Sequence, residues 1–292
     1  MKATLDCLEC VVKQSLRAAR IATDDKDAQR RILNETLARV PNMDTDDSPA
    51  YLSMVAYQLA AEHSGKTDPY AELKRAQNEM ALSLENSMRE RVRQSDDPLI
   101  TALHLAAAGN VIDLGILESH EIDIEAVIEE VLHERFSVDH TDTLKSALKD
   151  CDDLLYLLDN AGEIVFDKLL IEELKKITKV TAVVKGAPML NDVVREDAEL
   201  VGLSDVCEII DNGGAFIGSP LNLVPQSFLD RMAAADVIIG KGQGNYETID
   251  EFDGDVFLIL RAKCEIIATH MGVKFGQVGL ISTRRRAAES AC

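Results

Sequence analysis

The sequence predicts an α/β protein, in which an all-helical region precedes a region with a mainly parallel β-sheet. Two observations carry this prediction. Up to about residue 140, apolar residues recur at helical spacing between prolines and glycines. From about residue 141, short apolar runs rich in β-branched residues alternate with helical stretches. We therefore expect a domain boundary there, with domains at 1–140 and 141–292.

The helical period of the first region appears in three apolar runs, near 5–19, 32–40 and 52–60. In the first run Leu5, Leu8 and Val12 lie one turn apart, which predicts a helix with one buried face. The long polar segment 70–94 predicts a further helix that is partly exposed. Because that segment is rich in Glu, Arg, Lys and Asn, we expect it to present a solvated structural face.

The strands of the second region are predicted from five apolar runs, at 154–158, 180–184, 207–210, 237–239 and 256–260. Helical stretches separate them, such as 166–177, 225–235 and 264–271. Strands that are apolar on both faces are typical of parallel sheets covered by helices. Because crossovers between parallel strands are right-handed, every strand-to-helix loop is expected at one edge of the sheet.

The charge balance excludes some classes of partner. The chain has 51 acidic and 31 basic residues, a formal net charge of -20. Such a surface repels phosphate backbones and anionic lipid, so we expect no nucleic acid and no membrane partner.

An amino terminus with Asp6 where a signal peptide needs apolar residues predicts a cytoplasmic protein. Six scattered cysteines predict reduced thiols rather than a disulfide scaffold.

Polar side chains follow two neighbouring predicted strands. Asp159 and Asn160 end the first strand, and Asp192 follows the second, 33 residues later, which is about the length of one βαβ unit. Two carboxylates and an amide are hard oxygen donors, which suit Mg²⁺, Mn²⁺ or a similar divalent ion. The alternative is that these side chains form only Asx turns and helix caps.

A glycine-rich segment after a later strand is a second candidate. Gly242 and Gly244 would let backbone N–H groups approach an anion, with Lys241 as a point charge. The segment is neither a P-loop nor a dinucleotide fingerprint, and an ordinary glycine-rich turn is the alternative. By local sequence alone, the pair Gly109 and Asn110 predicts the carboxyl-terminal cap of a helix.

Cys7 and Cys10 form a Cys-x-x-Cys pair one helical turn apart. A structural zinc site needs four ligands, so Cys264 or a histidine would have to join through tertiary contacts. A buried pair and a redox pair are the alternatives.

Asp159 also resembles the aspartyl nucleophile of haloacid-dehalogenase-type phosphatases. Those enzymes need a second Asp two positions on, where this chain has Ala161.

Five motifs in this order resemble the damage-control phosphatase family, formerly domain of unknown function 89, over nearly the whole chain. They are Cys7 to Cys10, Gly109 to Asp113, Asp159 to Glu163, Pro188 to Asp192 and Gly242 to Tyr246. The Cys-x-x-Cys is similar to that of the compact microbial and archaeal branch. The resemblance implies a helical region that caps a three-layer α/β/α Rossmann-like domain with a mainly parallel sheet.

The resemblance also implies an activity, which is divalent-metal-dependent hydrolysis of phosphate monoesters. The substrates would be small phosphorylated metabolites that are reactive or damaged, sugar phosphates included. The family's metal ligands fall on Asp159, Asn160 and Asp192, and the ion would be manganese, nickel, cobalt or magnesium. The resemblance leaves the physiological substrate and the oligomeric state open.

The same resemblance places substrate contacts in this chain. The residues expected to line the pocket are Asn110, Asp113, Lys241 and Asn245. Glu163, Lys185, Gly242 and Gly244 lie inside matched motifs. Charge on the phosphoryl oxygens would be met by Lys241, with Lys185 as a second candidate.

Two functions from other classes compete with the phosphatase. One is S-adenosylmethionine-dependent carboxylate methyl transfer, an activity attributed to a related family member. The chain offers no convincing acid for the adenosine ribose after its first strand, which disfavours this alternative. The other is a non-enzymatic interaction module in which Cys7 and Cys10 anchor a structural metal.

Overall fold

The computed structural model describes residues 1–118 and 135–284, without the side chains of 110–118. The first part is all helical. Its helices are α1 (Leu5–Ala22), α2 (Lys26–Arg39), α3 (Pro49–Ser64), α4 (Ala71–Gln94) and α5 (Pro98–Glu118). None of the helices within the described residues has the length and apolar character needed to cross a membrane.

The ends of α3 show how local sequence sets these helices. Ser48 precedes it, and the Ser48 hydroxyl accepts a hydrogen bond from the Tyr51 N–H at 3.2 Å. Pro49 at the first helical position has its φ already fixed for a helix. The helix ends at Gly65, whose φ of 68° is left-handed and therefore favours glycine.

The second part alternates strands and helices around one sheet. Its strands are β1 (Val138–Asp139), β2 (Asp153–Leu157), β3 (Lys179–Val184), β4 (Glu208–Asp211), β5 (Val237–Lys241), β6 (Val256–Arg261) and β7 (Val278–Ser282). Its helices are α6 (Thr141–Ala147), α7 (Glu163–Leu174), α8 (Arg195–Leu200), α9 (Gln226–Ala233), α10 (Gly242–Ile249) and α11 (Glu265–Met271).

The strand order in the sheet is β1-β7-β6-β5-β2-β3-β4. Every described pair is parallel except β6 with β7. The predicted fold class is thus confirmed, and the five predicted strands are β2 to β6. The chain runs outward from β2 to β4 and then returns to place β5 on the other side of β2. Ligands of open α/β sheets bind at such a switch point, beside the carboxyl ends of the strands.

Apolar side chains cover both faces of the sheet. On one face Tyr156 and Phe166 belong to a buried cluster that includes residues of α4, α5 and α7. On the other face Leu155 and Phe228 belong to a cluster with residues of α9, α10 and α11. The sheet is therefore the middle of three layers.

One local prediction about the helical region is wrong, and a second is only partly correct. Helix α5 does not end at Asn110, because Gly109 serves close packing instead of a cap: a Cβ there would lie 3.2 Å from the Cα of Glu163. The helix predicted over 70–94 is present as α4, but its face is not wholly solvated. Lys74, Gln77 and Asn78 are buried.

Candidate active site

The end of β2 places Asp159 and Asn160 at the carboxyl edge of the sheet. Both side chains are buried. Backbone bonds join this loop to the next one: the Ala161 N–H donates to the Asn191 carbonyl, and the Val193 N–H donates to the Asp159 carbonyl, each at 2.9 Å. An isolated antiparallel bridge sets Asn160 opposite Asp192. The structure therefore brings the three predicted metal ligands together.

The amide of Asn160 has a defined orientation. Its Nδ2 donates to Asp159 Oδ2 at 2.8 Å and to Glu163 Oε1 at 3.0 Å. An ionised carboxylate only accepts, so with both acids ionised the two amide hydrogens face them. The Asn160 Oδ1 is then the atom left to bind a cation. This orientation fits the predicted role of Asn160 as an oxygen ligand.

The turn that carries Asp192 is held in an uncommon conformation. Leu190 has a φ of 52°, which is the left-handed region. The Asp192 N–H donates to the Met189 carbonyl at 3.1 Å and closes the turn. A non-glycine residue in this region costs on the order of 1 kcal/mol, and such strain clusters at functional sites.

The glycine-rich segment forms the first turn of α10, not a loop. Gly242 begins this helix with a φ of 76°, and a Cβ at that position would lie 1.8 Å from Asp159 Oδ2. Gly242 therefore leaves the space that the Asp159 carboxylate fills. Gly244 makes a second close approach: a Cβ there would lie 3.0 Å from the backbone nitrogen of Gly218.

Lys241 lies below the site and has no exposed surface. Its Nζ is 2.8 Å from Asp167 Oδ1 and 3.2 Å from Glu163 Oε2. Burial alone would lower the pKa of Lys241, but the charges of Asp167 and Glu163 outweigh burial and raise it. In this arrangement Lys241 supports Glu163, which in turn holds Asn160, and it does not line the cavity above.

Lys185 and Asn245 stabilise the loops that carry the predicted metal ligands. The Lys185 Nζ lies 3.4 Å from Asp192 Oδ2 and donates to the Gly218 carbonyl at 3.1 Å. The buried Asn245 Nδ2 donates to the Leu158 carbonyl at 3.2 Å, which ties the first turn of α10 to the end of β2. The side chains of the other predicted pocket residues, Asn110 and Asp113, lie outside the described part of the structure.

A cavity of about 410 Å³ opens above Asp159, Asn160 and Asp192. One wall consists of α1 and α3, and the other consists of loops that follow the strands together with the first turns of α10 and α11. Across the helical wall, the Tyr57 hydroxyl donates to Gln14 Oε1 at 3.2 Å. The cavity therefore lies between the helical region and the carboxyl edge of the sheet.

Lys263 is a cavity residue that the sequence analysis missed. It follows β6 at the same edge as Asp159 and lines the cavity. Its charge lowers the pKa of Asp159, whereas burial and the charges of Glu163 and Asp192 raise that pKa well above the ordinary value. Its position directly after a predicted strand was the signal that could have identified it. Arg17 of α1, also missed, lines the opposite wall.

Cys7, Cys10 and Cys264 line the same cavity. The described cysteines are free thiols, and burial raises the pKa of both Cys10 and Cys264. Among the side chains that the structure describes, those of residues 1–109 and 135–284, no group of three His, Cys, Asp or Glu is arranged to hold a metal. The structure thus brings the three thiols to one cavity and gives no support to a second metal site there.

Glu247 is a buried acid in the cavity wall. Its Oε1 accepts from Gln243 Nε2 at 2.7 Å, and its carboxylate also accepts from the Ala50 N–H at the start of α3. Burial raises the pKa of Glu247 to about 7, although these hydrogen bonds oppose the rise. Glu247 therefore links the helical region to α10 through a group that titrates near neutrality.

The raised pKa of Glu247 predicts a pH dependence of stability. An acid whose pKa is raised on folding stabilises the protein below its unfolded pKa, and this stability is lost as pH rises through the folded pKa. In the wild-type protein the free energy of unfolding should therefore decrease between pH 5 and 8. Glu247→Gln should make this decrease smaller by on the order of 2 kcal/mol. Urea titrations across this range measure the change.

The exposed neighbour Glu251 supplies the control. Glu251→Gln should leave the pH slope of the wild-type protein unchanged. Equal slopes for Glu247→Gln and wild type would show that Glu247 is ionised throughout this range.

The comparisons with known proteins agree over nearly the whole chain. A family profile described as the damage-control phosphatase ARMT1-like domain matches residues 3–278. An uncharacterised protein from Methanocaldococcus jannaschii is 36% identical, over 93% of this chain and 92% of that protein. A damage-control phosphatase from Pyrococcus horikoshii is 33% identical, over 94% of this chain and 96% of that protein.

A solved structure extends the similarity to the fold. The crystal structure of a DUF89 family protein from Pyrococcus horikoshii has a TM-score of 0.88 and 30% identity to this chain. The match covers 97% of this chain and 99% of that one. A damage-control phosphatase from Archaeoglobus fulgidus is 32% identical over 95% of this chain and 98% of its own length. The chain therefore belongs to the family of damage-control phosphatases with an ARMT1-like domain, as its five ordered motifs predict.

Proposed function

We propose that this protein is a divalent-metal-dependent phosphatase that hydrolyses phosphate monoesters of small metabolites. One observation carries the proposal: Asp159, Asn160 and Asp192 converge below a cavity at the switch point of the sheet. The names of the Pyrococcus and Archaeoglobus relatives support the reaction class.

The residues present fit a divalent cation. Two carboxylates and an amide oxygen are hard donors, and the Asn160 amide directs its hydrogens to Asp159 and Glu163, which leaves its oxygen for a cation. Burial together with the charges of Glu163 and Asp192 disfavours ionised Asp159, so a cation here would compensate buried negative charge. A bound divalent ion would polarise the phosphoryl group and acidify a water molecule.

The chain's own residues orient the substrate. Lys263 lines the cavity beside Asp159 and is placed to meet negative charge on the phosphoryl oxygens. Lys185 offsets the charge of Asp192 from below. The organic part of the ester would then contact the helical wall, where Gln14 and Arg17 offer hydrogen-bond donors. A cavity of about 410 Å³ suits a small metabolite.

The test of this function is metal-dependent turnover. We expect hydrolysis of p-nitrophenyl phosphate and of sugar phosphates with Mn²⁺, Co²⁺, Ni²⁺ or Mg²⁺, and no hydrolysis with a chelator. Asp159→Asn should lower kcat/KM by about 100-fold or more, because it removes a charged ligand of the catalytic metal. Steady-state assays at saturating metal measure the loss.

The same strand provides a matched control. Asp153 lies at the opposite end of β2, where Arg231 Nη1 is 2.9 Å from its Oδ2, and Asp153→Asn should keep full activity. Activity that survives chelation, or that persists in Asp159→Asn, would refute the assigned site. Binding of S-adenosylmethionine in calorimetry without phosphate release would favour the methyl-transfer alternative.

A further inference from the structure

Helix α4 carries a buried polar face that the proposed hydrolysis does not use. The face consists of Lys74, Gln77 and Asn78, which share one side of the helix at positions i, i+3 and i+4. Burying polar side chains costs free energy unless they are hydrogen-bonded. Each of the three is hydrogen-bonded, Gln77 and Asn78 to the loops below the cavity and Lys74 to Asp197 of α8.

Asn78 holds the loop that carries the first two proposed ligands. The backbone N–H of Gly162 donates to Asn78 Oδ1 at 2.7 Å, and Gly162 lies two residues after Asn160. The Asn78 Nδ2 donates to Asp197 Oδ1 at 3.1 Å. One side chain of the helical region therefore connects the Asp159–Asn160 loop to the start of α8.

Lys74 and Asp197 hold the loop that carries the third proposed ligand. The Lys74 Nζ donates to Asp197 Oδ2 at 2.9 Å and lies 2.8 Å from Asp68 Oδ2. The same Asp197 oxygen accepts from the Val194 N–H at 3.1 Å, and Val194 lies two residues after Asp192. The second loop is thus fixed to α4 through Asp197.

Gln77 completes this face between the two loops. Its Oε1 accepts from Asn191 Nδ2 at 3.4 Å, next to Asp192. A Cβ added to Gly162 would lie 3.3 Å from the Cβ of Gln77, so the helix rests directly on the first loop. Both loops therefore contact the same two turns of α4.

We propose that Lys74, Gln77 and Asn78 are positioning residues that set the spacing between Asp159, Asn160 and Asp192 for a divalent ion. The proposal rests on the proposed function. Metal sites need ligands held within a narrow geometry, and groups behind the ligands supply that restraint. Here the restraint comes from a different region of the chain, across sequence separations of more than 80 residues.

Docking of α4 alone does not require this polar face. Farther along the helix Ala81, Met88 and Val92 belong to the buried core cluster shared with α5 and α7. Apolar packing of that kind anchors a helix without directional bonds. Hydrogen bonds to Gly162 and Asp197, in contrast, specify distance and direction.

The test compares Mn²⁺ binding with stability in Asn78→Leu, which removes both bonds of Asn78 at similar volume. Isothermal calorimetry should show Mn²⁺ affinity about tenfold or more weaker than wild type. The Mn²⁺ concentration for half-maximal hydrolysis of p-nitrophenyl phosphate should rise by the same factor. At saturating Mn²⁺, KM for p-nitrophenyl phosphate should stay within about twofold of wild type.

The matched control lies on the same helix. Arg89 of α4 pairs with Glu85 and with Glu172 of α7 but contacts neither loop. Arg89→Met should lower stability and leave Mn²⁺ affinity unchanged. If Asn78→Leu does not fold, Asn78→Ser removes the same contacts with less change in polarity and is measured in its place.

The outcomes separate the two proposals. Mn²⁺ affinity in the Asn78 variant equal to that of Arg89→Met would overturn the positioning role and leave the proposed function intact. Failure of the wild-type protein to bind any of Mn²⁺, Co²⁺, Ni²⁺ and Mg²⁺ would overturn the proposed function, and the positioning role with it. A tenfold loss confined to the Asn78 variant supports both.

Discussion

Lys241→Met is expected to destabilise the protein by about 3–5 kcal/mol, because it leaves two buried carboxylates without their cation. Glu163 and Asp167 lie 3.2 and 2.8 Å from the Lys241 Nζ, and none of the three side chains is exposed. Asn160 should also lose its orientation, since Glu163 holds its amide. Chemical denaturation measures the loss of stability.

The loss should depend on pH with a defined sign. Burial already raises the pKa of Asp167 to about 6, and the charge of Lys241 opposes that rise. Without Lys241 the folded-state pKa of Asp167 climbs further, so the variant loses more stability than wild type as pH increases above about 6. At pH 5, where Asp167 is largely protonated in the folded state, the difference should be smaller.

Two further variants make the Lys241 prediction specific. Lys241→Met combined with Asp167→Asn should recover part of the lost stability, because one uncompensated charge is removed. Lys179→Met, at an exposed lysine 3.4 Å from Glu208, should change stability by less than about 0.5 kcal/mol. Equal losses for Lys241→Met and Lys179→Met would contradict the idea that Lys241 neutralises the buried acids.

Gly242→Ala is expected to abolish metal binding and to lower kcat/KM by about 100-fold or more. The new Cβ would lie 1.8 Å from Asp159 Oδ2, so the carboxylate must leave its place. The left-handed φ of 76° adds a backbone penalty of on the order of 1 kcal/mol. Calorimetry with Mn²⁺ and steady-state kinetics measure the two effects.

Gly65 separates the steric effect from the backbone effect. It has a similar φ of 68°, and a Cβ there would meet nothing within 4 Å. Gly65→Ala should therefore show the backbone penalty alone, with normal Mn²⁺ binding and activity. If Gly242→Ala also binds Mn²⁺ normally, close packing of Asp159 against α10 is not needed for the site.

The strands that the sequence predicts are those with a strong local signal. Leu154 to Leu158 is a continuous apolar run between polar residues, which indicates a strand buried on both faces. The two-residue β1 and the antiparallel β7 were not predicted. The pairing of Val138 with Gly279 exists only because the sheet brings distant segments together, and no local pattern encodes it.

In the candidate site, too, some residues could be predicted from the sequence and others only from tertiary contacts. Asp159, Asn160 and Asp192 are predictable because each follows a recognisable strand in parallel connections, and such loops share an edge. The burial of Lys241 was not predictable, because Glu163 and Asp167 approach it only when α7 packs against the sheet. Lys74, Gln77 and Asn78 belong to a segment whose composition predicts a solvated helix, and only tertiary contacts bury them.

The sequence by itself therefore determined the succession of the five strands β2 to β6, the sheet edge on which the acids lie and the family of the chain. Those properties depend on residue type and short spacing along the chain. The tertiary structure decided which charged groups face the cavity and which support it from below. That division depends on burial and on hydrogen bonds between residues such as Asn78 and Gly162, which lie 84 positions apart. Such contacts leave no periodic trace in the sequence.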